Sequence, residues 1–270
     1  LLPGHTAASA VEVMRRTLDE LHAQRERTGQ PMFAHLNHPN FRSGVTAEDI
    51  MQVERQRFFE VYNGHPGVVK VVKEADEGGL NFGGQWHSDW SFQPDPPAFT
   101  LLWSLEVPPH GGDTMWSNQE LAFDTLSDGL KETLLDLEVV HSAGWAYAAD
   151  GILARTASGR TMKINTSDSA LAEHIHPAVP THPETGRRTL FVNPTYSVRF
   201  AGWTAAESAP LLQYLYTHST RDAVTCRFRW TANTLAIWDN RSTQHNALND
   251  YRGHRRELHR TTVAGTAPTR

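Results

Sequence analysis

A chain of 270 residues with 39% apolar side chains can bury a sizeable core, and its formal charge of −5 gives no electrostatic footprint for nucleic acid or an anionic membrane surface. The lone Cys226 excludes an internal disulfide and suits a reducing compartment. No apolar run approaches the roughly 18–20 residues of a membrane span and the N-terminus lacks a signal-peptide pattern, so a cytoplasmic chain is expected.

Two unequal parts are predicted, residues 1–67 and 68–270. Over residues 7–28, Val11, Met14, Leu18 and Leu21 recur at helical spacing among charged residues, and Gly29 with Pro31 ends the pattern. A second helix is expected from Thr46, with Asp49 three residues on. Phe58–Pro66 reads as a strand running into a turn. From Val68 short β-type runs alternate with Gly/Pro turns: Val68–Val72, Phe99–Val107, Thr114–Trp116, Val139–His141, Thr189–Val192, Thr234–Trp238 and Leu258–Val263. Two helices interrupt them, Asn118–Leu126 capped by Asn118, and Thr204–His218 capped by Thr204 with Glu207 at the capping-box position. Many short strands and few helices suggest a barrel or sandwich.

The chemistry concentrates in Trp86-His87-Ser88-Asp89 and a distant histidine, His245. Residues two apart on a strand point to one face, so His87 and Asp89 are expected to converge, with Trp90-Ser91-Phe92 continuing the strand. A second imidazole completes a two-His-one-carboxylate facial set, which leaves coordination positions open and is diagnostic of non-haem Fe(II) oxygenases. Arg256 and Arg260 are four apart in a predicted strand and face one side. Two guanidinium groups aimed into a barrel are costly unless anions meet them. A solvated basic face is the competing reading. His141, His174, His176, His182, His218, His254 and His259 sit in no ligand-spaced cluster and are read as structural.

Residues Asn81–Phe92, Pro108–Thr114, Ile237–His245, Asp250-Tyr251 and Arg255–Gly265 occur in the order and spacing of the TauD/TfdA (taurine dioxygenase) family, with eleven residues from His245 to Arg256 and fifteen to Arg260. From about residue 68 onward the chain resembles that family. The resemblance implies a mainly β (α+β) fold: a double-stranded β-helix (jelly roll, cupin-like) core with peripheral helices, here behind an N-terminal helical segment. It implies Fe(II) held by His87, Asp89 and His245, and 2-oxoglutarate as cosubstrate, its distal carboxylate paired with Arg256 and touched by Thr114. Arg260 would support the cosubstrate or meet an anionic substrate group. Asn81 and Trp90 would touch the substrate, and Trp86 and Trp238 would wall the iron site or belong to the core. The implied reaction decarboxylates 2-oxoglutarate to succinate and CO2, consumes O2, and hydroxylates a small anionic substrate such as a sulfonate, sulfate ester or carboxylate. Members of the family often associate, which leaves a homo-oligomer open here, while the oligomeric state itself is not legible in the sequence.

Before residue 68 the family's opening apolar strand is not found. Residues 30–67 instead resemble a fragment of a PHP-type metallophosphoesterase, through His35–Asn40, Val45–Asp49 and Phe58–Pro66, with His35, His38 and His65 as a remnant metal set. Two rival functions follow: a PHP-type phosphoesterase independent of 2-oxoglutarate, and a catalytically impaired β-helix protein that binds a small anion. The first lacks ligands, and the second has no need of the His-x-Asp…His geometry.

Overall fold

A computed structural model describes residues 68–79 and 82–270, together with isolated positions further N-terminal. The chain divides into two compact units, Leu1–Val69 and Lys70–Arg270. In the first, Glu12, Arg15, Arg16, Asp19, Ala23, Glu26 and Arg27 are helical, and all but Glu12 are exposed, as the charged face of the predicted helix would be. Strand β1 (His35–Leu36) pairs in parallel with β2 (Phe58–Phe59). The predicted helix from Thr46, and the side chains of His35, His38 and His65, lie outside the described residues.

The second unit is mainly antiparallel sheet. Its strands are β3 (Val69–Lys73), β4 (Phe99–Glu106), β5 (Thr114–Asn118), β6 (Glu138–Ser142), β7 (Glu173–Pro177), β8 (Ser197–Phe200), β9 (Thr225–Phe228), β10 (Leu235–Asp239), β11 (Thr243–Ala247) and β12 (Arg256–Val263). They form sheets ordered β10-β4-β12-β3, β11-β5-β9 and β7-β6-β8. Six of the seven predicted runs become strands. Thr189–Val192 does not: it is buried and extended, but Leu190 N–H donates to the Gln119 carbonyl and Phe191 N–H to Ala178, with no continuous ladder. β-branched and aromatic residues fit that buried path as well as a sheet, so composition could not separate the two.

Both predicted helices form. Asn118 accepts from the Leu121 N–H to start Gln119–Asp124, and Thr204 with Glu207 closes a reciprocal capping box on Ala205–Ser219. Helices Asp128–Leu135, Gly144–Tyr147 and Ile152–Arg155 were not foreseen; none has a side-chain cap to announce it.

The larger core joins Phe123, Leu134, Leu212 and Leu215 from the helices, and Leu126 from the turn after the first of them, to Val139 and Phe200 of the β7-β6-β8 sheet. A smaller cluster joins Leu102, Trp230, Trp238 and Leu258. Burying side chains of this size stabilises by roughly 1.5–3 kcal/mol each. The smaller cluster underlies the candidate site, since the Trp238 ring lies 4.8 Å from that of His245.

Candidate active site

Two backbone hydrogen bonds bring the distant histidines together. His87 N–H donates to the His245 carbonyl at 3.1 Å and His245 N–H returns to His87 at 2.8 Å. In a reciprocal antiparallel pair of this kind, opposite side chains share one face. β11 pairs with β5 along one edge, and its other edge takes His87. The imidazole centroids stand 4.2 Å apart. Gly83, with φ +72°, accepts from the Ala247 N–H and extends this contact; a Cβ there would lie 3.5 Å from His87 Cε1 in a strained backbone.

Asp89 arrives differently from the prediction. Trp90-Ser91-Phe92 does not continue a strand; Asp89–Phe92 is a turn, with Trp90 at φ 48° and Gln93 N–H bonded to the Trp90 carbonyl. Strand alternation therefore is not what aims the carboxylate. The turn is pinned by side chains: Ser91 Oγ meets His141 Nδ1 at 3.1 Å and accepts from Asn193 Nδ2 at 2.9 Å. The histidine read as structural serves here as a buried brace.

Asp89 Oδ1 lies 3.6 Å from His87 Nε2 and 3.9 Å from His245 Nε2. The three buried donor atoms fall within 4.8 Å of one another, and no other such group of His, Cys, Asp or Glu occurs among the described residues. His87 Nδ1 sits 2.7 Å from the Gln85 carbonyl, which can only accept, so Nδ1 carries a proton and Nε2 is the nitrogen turned toward Asp89. Thr100 Oγ1 donates to Asp89 Oδ2 at 2.6 Å, Asn240 Nδ2 to Thr100 Oγ1 at 2.8 Å, and Trp238 Nε1 to Asn240 at 2.9 Å. This relay turns Oδ1 toward the imidazoles. Arg260 Nη1 reaches the same oxygen at 3.1 Å, and its guanidinium lies over the Trp90 ring at 5.1 Å.

These contacts set the charges. Burial pushes the Asp89 carboxyl upward, but Arg260 and the two imidazoles outweigh it and hold the group well below the carboxylate range. Burial, and then the neighbouring His87, lower His245 to about 3, so its ring is neutral and available as a ligand. Arg256 is also buried, and burial lowers it. Its Nε and Nη2 have no hydrogen-bond partner among the described residues. Its guanidinium lies 5.9 Å from the ring centres of both Trp230 and Tyr251. Thr114 is buried beside it through Trp230, whose Nε1 donates to Thr114 Oγ1 at 3.0 Å.

His87, Asp89 and Arg260 open onto a cavity of about 260 Å³, walled by Phe82, Trp90, Trp145, Tyr147, Leu153 and Tyr196 among others. Trp90 is in the wall; Trp86 is not, and its carbonyl instead accepts from Thr195 Oγ1 at 3.0 Å. Asn81 lies outside the described residues. The sequence offered no sign of Thr100, Tyr147 or Tyr196, which have no motif; Asn240 could have been suspected from its place in Trp238-Asp239-Asn240-Arg241.

Three further histidines read as structural have hydrogen-bond partners. His176 Nε2 meets the Gln93 carbonyl at 2.9 Å, His182 meets Asp239 at 2.9 Å, and His218 meets the Ala122 carbonyl at 2.8 Å.

The model of the family described as "Taurine catabolism dioxygenase TauD, TfdA family" matches residues 16–262, a span that takes in most of the segment set apart before residue 68. An alkylsulfatase of Acinetobacter baylyi is 33% identical over 80% of this chain and 70% of its own length. An alpha-ketoglutarate-dependent sulfate ester dioxygenase of Pseudomonas putida is 38% identical over 68% of this chain, which spans 60% of that relative. The crystal structure of a taurine dioxygenase from Burkholderia xenovorans superposes with a TM-score of 0.63 at 29% identity, covering 88% of this chain and 91% of its own. That likeness carries the jelly-roll architecture that the sheets suggest. On a family match over nearly the whole chain, with a His-Asp-His group at its one candidate metal position among the described residues, the protein belongs to the TauD, TfdA family.

Proposed function

We propose that this protein is an Fe(II)- and 2-oxoglutarate-dependent dioxygenase that hydroxylates a small anionic organic compound. The observation that carries the reading is the convergence of His87 Nε2, Asp89 Oδ1 and His245 Nε2, with His87 and Asp89 in the wall of a cavity. Two imidazole nitrogens and one carboxylate oxygen suit a divalent iron, and the cavity side leaves room for further ligands.

The chain's residues also fit the cosubstrate. A buried guanidinium with two nitrogens lacking acceptors is costly by itself, and a dicarboxylate would satisfy it. Arg256 would hold the distal carboxylate of 2-oxoglutarate, with the Thr114 hydroxyl beside it. With iron and cosubstrate bound, the site supplies O2 chemistry that turns 2-oxoglutarate into succinate and CO2 and a substrate C–H into C–OH.

The remaining residues prepare that site. The Gln85 carbonyl fixes the His87 tautomer, and the Thr100–Asn240–Trp238 relay orients Asp89. Arg260 keeps Asp89 ionised while lining the cavity, where its charge would also draw an anionic substrate. Trp90, Leu153 and Phe82 give apolar walls that exclude water. The relatives named for alkyl sulfates and sulfate esters support a sulfonate, sulfate ester or carboxylate as the substrate.

Anaerobic titration with Fe(II) and then 2-oxoglutarate should produce a weak visible charge-transfer band, absent in His87→Ala and His245→Ala. A wild-type protein that binds both without such a band, and releases no succinate in air with any anionic substrate offered, would sink this reading.

A further inference from the structure

The relay behind Asp89 hangs from the turn that carries Asn240, and that turn has its own anchor of charged side chains. Asn240-Arg241-Ser242 joins β10 to β11. Asp239, the last residue of β10, grips this turn with both carboxylate oxygens. Oδ1 accepts from the Arg241 N–H at 2.8 Å and from Arg241 Nε at 2.9 Å, and Oδ2 accepts from Arg241 Nη2 at 2.7 Å. The Asp239 carbonyl accepts from Thr243 Oγ1 at 2.6 Å, where β11 begins.

A second loop is tied to the turn. His182 is buried, and its Nδ1 accepts from the Glu184 and Thr185 N–H groups at 3.3 Å and 3.2 Å. Its Nε2 lies 2.9 Å from Asp239 Oδ2. Burial pushes the Asp239 carboxyl up, but the bonds from Arg241 and His182 outweigh it and hold the group below its ordinary value. The carboxylate therefore only accepts, and His182 Nε2 donates. Arg241 Nη1 reaches Glu184 Oε1 of the same loop at 2.8 Å and fastens it again.

These side chains stand outside the His87–Asp89–His245 group, but the turn they hold touches its support repeatedly. Asn240 Nδ2 donates to Thr100 Oγ1, which donates to Asp89 Oδ2. The Thr243 carbonyl accepts from Ser88 Oγ at 2.7 Å, one residue before Asp89. Trp238, on the other side of Asp239, places its ring 4.8 Å from that of His245.

We propose that Asp239, Arg241 and His182 form a positioning lock, which raises the metal affinity of the site by fixing the turn that aims Asp89. The inference rests on the reading of His87, Asp89 and His245 as ligands, and adds to it three positioning residues. A carboxylate already held in its bound orientation loses less freedom when a metal arrives, so loosening the turn lowers affinity without removing a ligand.

The test is anaerobic Fe(II) binding to the whole protein, read by competition with a coloured chelator. Asp239→Asn keeps the shape but removes the charge that Arg241 and His182 meet, and should weaken Fe(II) about tenfold or more. His182→Leu should weaken it by a smaller factor. His182→Gln, whose amide can still donate to Asp239, should recover most of that loss. The same changes are then made in a Thr100→Val background. Transmission through Asn240 and Thr100 requires the losses to shrink there by about threefold or more, whereas a merely structural lesion costs the same factor in both backgrounds. The milder His182→Leu goes through the same cycle, so the outcome does not depend on Asp239→Asn folding. Unchanged Fe(II) affinity in the folded variants overturns the lock, as does an equal loss in the two backgrounds. A wild type that binds no Fe(II) overturns the ligand reading as well, so the two failures are distinct.

Discussion

Arg256 and Arg260 stand four residues apart on one strand, both buried, yet their surroundings are opposite. Arg260 is matched from within: Asp89 lies 3.1 Å away and Trp90 covers its flat face. The Arg256 guanidinium lies 5.9 Å from the Trp230 and Tyr251 rings, and two of its nitrogens lack acceptors among the described residues. One charge is neutralised by the fold, while the other is kept in a form that a dicarboxylate would complete. A site that must bind and release a charged cosubstrate needs the second kind of arginine. A site that must keep a carboxylate ionised in the interior needs the first.

The sharpest way to separate them is Arg256→Met. Losing a bidentate charged contact should weaken 2-oxoglutarate by about a hundredfold or more, measured by the charge-transfer titration. Thermal stability without cosubstrate should stay level or rise, because an unpartnered buried charge is removed. A Tm that drops by many degrees with cosubstrate affinity intact would show that Arg256 is structural.

Arg260→Met should do the reverse. It strands the Asp89 carboxylate among buried groups, so the metal-free protein should lose about 3 kcal/mol in urea unfolding. Added Fe(II) should restore part of that loss by supplying a new counter-charge. A metal-free variant as stable as wild type contradicts the pairing.

Thr100→Val tests the relay behind Asp89. Removing the hydroxyl keeps the shape of the side chain but frees Oδ2, and metal affinity should fall about 10–100-fold. Unchanged iron affinity would mean that Arg260 alone orients the carboxylate.

The smallest effect is a slope in pH. Burial lowers both His141 and His245 to about 3, against an ordinary value near 6.5. Between those values the unfolded chain binds more protons, so stability is greatest above about pH 6.5 and falls as pH drops toward 3. Each histidine contributes at most about 1.4 kcal/mol per pH unit to that slope. His141→Gln should shed one share of it; an unaltered slope would show that His141 is not neutral in the folded protein.

Much of this was readable in the chain. Both capped helices and the shared strand of the two arginines follow from local spacing, because strands and caps are written within a few residues; His87 and Asp89 stand out as a His-x-Asp pair, and His245 joins them only through the family's order of motifs. The missed helices are short and uncapped by side chains, so no local signal marks them. β7, β8, β9 and β11 are brief, and their stability comes from partners distant in sequence. The strand expected through Trp90 is a turn because Asn193, Ser91 and His141 hold it, and those contacts join residues 50 and 102 positions apart.

The linear order of side chains was enough to name which groups carry the chemistry, since imidazole, carboxylate and guanidinium are identities, not positions. Which of them meet, and which arginine is left without a counter-charge, depended on long-range pairing of backbone edges and on burial. Those are properties of the folded chain, because desolvation exists only once water has been excluded and a neighbour has taken its place.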